Sequence, residues 1–206
     1  MLERQQYLIK EHVTVIKTTD TYDILDPETQ EPIGQAKEVV NVLVAGLRWL
    51  IDRGWMPTRI EVRDKDNELQ FYLRRGWYLF RARIEVYDVN DELIGYFRSK
   101  IWTLAGAFQV FLKDDTLFAQ VKGGKQWFFD YHLTTPDNIE VGKVTKKWRG
   151  VMKEIFTSAD AFLVTVNEKF AEQRMAKILL LAAAVAVDMI FKEDKSSSGI
   201  IGSLTE

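Results

Sequence analysis

The sequence predicts a mostly β fold with one α-helix: a closed antiparallel β-barrel of about twelve strands around a buried hydrophobic C-terminal helix. Two observations carry that expectation. One is a hairpin pattern that recurs along most of the chain. The other is ILLLAAAVAV at 178–187, ten uninterrupted apolar residues that continue to Phe191 with Asp188 as the one charge. A helix apolar on every side has to be enclosed, by lipid or by its own protein.

In each hairpin an alternating strand ends at an Asp or a turn, polar residues follow, and a second strand leaves through an apolar residue. The pattern reads TYDILDPETQEPIGQAKE at 21–38 and RIEVRDKDNELQFYLRR at 59–75. It returns as RIEVYDVNDELIGYFRSK at 83–100 and FQVFLKDDTLFAQVKGG at 108–124. A looser copy, FFDYHLTTPDNIEVGKVTKK, spans 128–147. RIEVRD and RIEVYD stand 24 residues apart. Alternation at period two marks half-buried strands: Ile84 and Val86 point one way, Arg83, Glu85 and Tyr87 the other. Asp and Asn at the breaks hydrogen-bond their own backbone and tolerate tight turns.

Residues 39–55, VVNVLVAGLRWLIDRGW, interrupt the hairpins and read as a short helix closed by Gly54. A sheet of about twelve strands curls or splits, and closure removes its edges. A barrel that wide has room for more than its own side chains, so something must fill it. The apolar helix is the natural filler, with Ile178, Leu179, Leu180, Leu181, Val185, Val187 and Asp188 marking it. A membrane span is the alternative, but it needs roughly 17–25 apolar residues, and Glu172, Gln173, Arg174 and Lys177 prevent an extension. One domain is expected over 1–193, with a disordered tail at 194–206.

Composition narrows the function classes. The chain is 47% hydrophobic and 28% charged, with a net charge of −2. No basic field draws in nucleic acid. There are no cysteines, which excludes disulfides, thiolate metal sites, Cys nucleophiles and S-acyl anchors. The N-terminus MLERQQYLIKEH lacks the apolar stretch of a secretory signal, so a cytoplasmic location is expected, peripheral at the membrane if the protein binds lipid. No GxSxG, Walker, HExxH or dinucleotide fingerprint is present, and His12 and His132 both fall in strand-like contexts. No catalytic residues and no enzyme activity are expected.

Two surfaces stand out. Arg48, Trp49, Arg53 and Trp55 gather at the end of the 39–55 segment, a mix suited to a lipid headgroup boundary. A plug in the barrel mouth, a homo-oligomer contact or a docking surface for a protein partner are the other readings. Lys146, Lys147, Arg149 and Lys153 form the densest basic cluster, with Lys143 before it and Trp148 inside it. It reads as an anionic-lipid contact or as a solvated strand end. Arg74, Arg75, Arg81, Arg83, Arg98 and Lys100 form a second basic set that a barrel wall could bring together.

The ordered series Gly142, Lys146, Trp148, Gly150, Glu154, Phe156, Thr157, Ala159, Asp160, Phe162, followed by the apolar helix ending in Asp188, resembles phospholipid scramblases. The hairpins are similar to those proteins and to LURP-one-related proteins of the Tubby-like superfamily, over roughly residues 20–191. The resemblance implies a closed antiparallel barrel around a hydrophobic C-terminal helix. It implies membrane-lipid association, with phospholipid scrambling or phosphoinositide binding among the family's activities. It also implies calcium as a cofactor. In FTSADAFLVTVNEK (156–169) Ser158 stands where those proteins carry Asp, leaving Asp160 and Glu168 as calcium candidates. Two carboxylates fall short of the roughly six to eight oxygens that calcium takes, so no cofactor is expected.

Overall fold

The computed structural model describes residues 1–12, 19–39, 57–76, 83–99, 108–123, 130–145 and 161–187. The first strands are β1 (Gln6–Glu11), β2 (Thr21–Leu25), β3 (Pro32–Val39) and β4 (Thr58–Asp64). Next come β5 (Leu69–Arg75), β6 (Arg83–Tyr87), β7 (Leu93–Ser99) and β8 (Phe108–Leu112). The last are β9 (Leu117–Gly123), β10 (Asp130–Thr134), β11 (Glu140–Thr145) and β12 (Ala161–Val166). Each strand pairs antiparallel with its neighbour in sequence, and β1 pairs with β12 to close the barrel. A helix, α1, covers residues 174–187.

Alternation in the sequence becomes inside and outside in the barrel. In β6 Ile84 and Val86 are buried while Arg83, Glu85 and Tyr87 face outward. α1 fills the interior, and residues 178–187 are all buried. The enclosure is the barrel's own inner face, so the helix needs no lipid around it. Among the described residues no helix is long and apolar enough to cross a membrane.

Five hairpins turn on one rim with a shared construction. Gln30, Asn67, Asp91, Asp115 and Asn138 each adopt positive φ. A register shift precedes every one of these turns. Four of them combine a tight turn closed by an i-to-i+3 hydrogen bond with a left-handed residue, as at Asn67 N–H to Asp64 C=O. Asp64 Oδ1 also accepts from the Asp66 and Glu68 amides, the Asx chemistry that the Asp-rich breaks predict.

α1 enters from this turn rim. β12 ends there at Val166, a 3-10 turn follows at Glu168–Phe170, and the chain then runs into the barrel. The N-terminus closes the same mouth. Leu2 is buried in the core, and its carbonyl accepts from the buried Lys177 ammonium at 2.8 Å. The other connections begin and end on the opposite rim. Val39, the first residue of the interruption expected over 39–55, belongs to β3. Its remainder lies outside the described residues.

Candidate functional site

The 24-residue repeat in the sequence is also a repeat of outward side chains across β4–β8. Arg59 lies directly across from Arg74, and Arg83 directly across from Arg98. The Arg59 guanidinium sits 3.7 Å from the Tyr72 ring centre, and Arg83 sits 3.8 Å from that of Tyr96. Arg74 lies over Tyr87 at 4.7 Å and Arg98 over Phe111 at 4.9 Å. The rings stack in pairs, Tyr72 on Tyr87 at 5.0 Å and Tyr96 on Phe111 at 5.1 Å. Each first tyrosine also donates to the turn of the next hairpin, Tyr72 to Asp91 at 2.8 Å and Tyr96 to Asp115 at 2.6 Å.

Like charges directly opposite in a sheet destabilise it. This wall does so twice, at equivalent places. Stacking on aromatic faces offsets part of that cost, about 0.5–1 kcal/mol for each exposed pair. Two carboxylates offset more. Glu61 accepts from Arg59 Nε at 3.0 Å and from Arg63 Nη2 at 2.8 Å. Glu85 accepts from Arg74 at 3.0 Å and from the Tyr87 hydroxyl at 2.9 Å, with Arg83 Nε 3.1 Å away. Partial burial pushes both carboxyls up, but these hydrogen bonds and charges outweigh it and hold both below the ordinary value. The Arg74 guanidinium is raised in turn, first by its bond to Glu85. Desolvation raises the Tyr72, Tyr87 and Tyr96 hydroxyls, which stay neutral donors.

Short of the turns, β4–β7 carry Arg59, Arg63, Arg74, Arg83 and Arg98 against Glu61 and Glu85, an excess of three positive charges. Guanidinium groups held flat by ring stacking present their N–H forks in a fixed plane. That geometry suits phosphate and carboxylate oxygens.

The structure brings together Arg74, Arg83 and Arg98 of the second basic set. Arg81 and Lys100 lie outside the described residues, and Arg75 does not join the wall. Consecutive strand residues face opposite ways, so Arg75 points inward, 5% exposed, with Nη2 on the Thr58 hydroxyl at 3.2 Å. Sequence reasoning missed Arg59 and the aromatic partners. The 24-residue offset was the available signal, because it places an arginine at 59 for every feature of 83. Arg48, Trp49, Arg53 and Trp55 lie outside the described residues, as do Lys146, Lys147, Arg149, Lys153, Asp160 and Asp188. The histidines face outward. His132 Nδ1 is 2.7 Å from Glu140 Oε2, and His12 Nδ1 is 3.0 Å from Asp23.

Residues 1–194 match the family model described as Scramblase. The chain belongs to the Scramblase family. No curated protein matches it. Glu168 opens the 3-10 turn on the turn rim, where Asn167 Oδ1 caps the Lys169 amide. Among the described residues no three His, Asp or Glu side chains converge on a metal position.

Proposed function

We propose that this family member is a non-enzymatic barrel that binds anionic phospholipid headgroups at the cytoplasmic membrane surface. The supporting observation is the pair of directly opposed arginines, Arg59 with Arg74 and Arg83 with Arg98, kept on stacked aromatic rings of one outer wall. Like charges held together at a cost to stability fit an oppositely charged ligand, and a lipid phosphate presents the oxygens that guanidinium forks recognise. Each basic residue near an anionic surface contributes about 1 kcal/mol. Family membership supports a lipid as the source of the anion. The C-terminal helix takes no part in this reading, because it remains inside the barrel.

Flotation with vesicles tests the proposal. The native chain is expected to float with phosphatidylcholine vesicles containing phosphatidylserine at low salt. It should float less at high salt and not at all with phosphatidylcholine alone. Recovery in the unbound fraction under every condition removes the proposal. Repeating the experiment with calcium and with a chelator determines whether the ion contributes.

A further inference from the structure

The repeat on the outer wall changes where Glu85 recurs, and among the described residues the change leaves Arg98 without an ion-pair partner. In the first copy Arg74 faces Glu85 across β5 and β6, and the two form an ion pair at 3.0 Å. The residue 24 positions after Glu85 is Gln109, which faces Arg98 across β7 and β8 in the same register. A neutral amide thus stands where the repeat has a carboxylate. A second change accompanies it: Arg63, which helps to neutralise Glu61, corresponds to Tyr87 in the next copy. Among the described residues Arg98 makes no ion pair. Its side-chain hydrogen bond there is a long one, Nη2 to the Tyr96 hydroxyl at 3.4 Å.

Taking the lipid-binding reading as its basis, we infer that the headgroup phosphate is held at Arg98, Gln109 and Arg83, and that the equivalent place at Arg74 is closed by Glu85. Phe111 and Tyr96 keep the Arg98 guanidinium flat on the wall at 4.9 and 5.4 Å. Gln109 adds an amide donor from the adjacent strand. Arg83 pairs through Nε with Glu85, and among the described residues its two terminal nitrogens make no hydrogen bond, which leaves them for a ligand. At Arg74 a phosphate would have to displace a carboxylate already bonded to Arg74 and Tyr87. Specificity for one of two nearly identical copies then comes from a resident anion in the wrong one.

Binding to phosphatidylcholine vesicles containing phosphatidylserine tests this with variants of nearly equal shape. Gln109→Glu gives Arg98 the counter-ion that Arg74 has, and is expected to weaken binding about fivefold, as is Arg98→Ala. Glu85→Gln opens the first copy and is expected to strengthen binding by a similar factor. Gln6→Glu makes the same charge change at the exposed first residue of β1, across the barrel from β7, and should leave binding unchanged. A single cooperative unfolding transition lying above the assay temperature confirms that each variant is folded. Equal losses for Gln109→Glu and Gln6→Glu would mean diffuse attraction and overturn the assignment, while the lipid reading stands. A Gln109→Glu chain that binds like the native one also overturns it. Failure of the native chain to bind any vesicle removes the lipid reading and this site together. Full displacement by inorganic phosphate at constant ionic strength would reassign the site to free phosphate.

Discussion

Glu61 and Glu85 each lie between two arginines, and their ionisation is tied to folding. Both carboxyls sit below the ordinary value of 4.5 in the folded chain. A group with a depressed folded pKa contributes stability that is present above the unfolded value and lost as pH falls through the folded one. The contribution is therefore complete at neutral pH and declines only below 4.5. Urea midpoints across that window should fall with acidification for the native chain, and less steeply for Glu61→Gln and Glu85→Gln. Equal slopes in all three would show that the arginines do not discriminate between the two forms of the carboxyl. The sequence supplied these residues and their faces. It did not show Arg59 over Tyr72, because that contact joins neighbouring strands whose register depends on bulges at the turns.

The elements were readable where they were local. Each hairpin carries its own turn residues and alternation, so β2–β3, β4–β5, β6–β7, β8–β9 and β10–β11 follow from short stretches of chain. Gly142, part of the series that resembles scramblases, owes its place to packing between elements. A Cβ there would meet the Thr165 carbonyl of β12 and lie 2.5 Å from Leu180 Cδ2 of α1. At Gly95 of β7 a Cβ would meet the Phe111 carbonyl, while Leu179 Cδ2 of α1 lies at an ordinary contact distance of 3.4 Å. Gly142→Ala is expected to cost about 1–3 kcal/mol through overpacking, read as a lower thermal midpoint. Gly76→Ala is the control, because none of the described residues lies within 4 Å of its added methyl. Similar midpoints for the two variants would mean that the helix has slack at Gly142. Val39 was assigned to the interruption but lies in β3, since a Val–Val step suits a strand as well as a helix.

At the scale of the molecule, closure decides everything that the hairpins leave open. β1 and β12 come from the two ends of the barrel sequence, and their pairing alone turns a meander into an enclosure. α1 is buried only because that seam is made. Helix and barrel should therefore open as one unit. Amides of 178–187 and of β1 and β12 are expected to share the slowest exchange class and the same dependence on denaturant. Faster exchange in the helix would show that it leaves the barrel without unfolding it.

The amino-acid sequence was sufficient for the strand faces, the tight turns, the apolar helix and the need for a container. These depend on periodicity and turn chemistry within a few residues of each other. It also held the 24-residue repeat and the exchange of Glu85 for Gln109. Tertiary structure decided which arginines share a wall, which one points inward, and which one lacks a carboxylate among the described residues. Those outcomes rest on register across strands and on the closing of the sheet, where a shift of one residue sends every side chain to the opposite face.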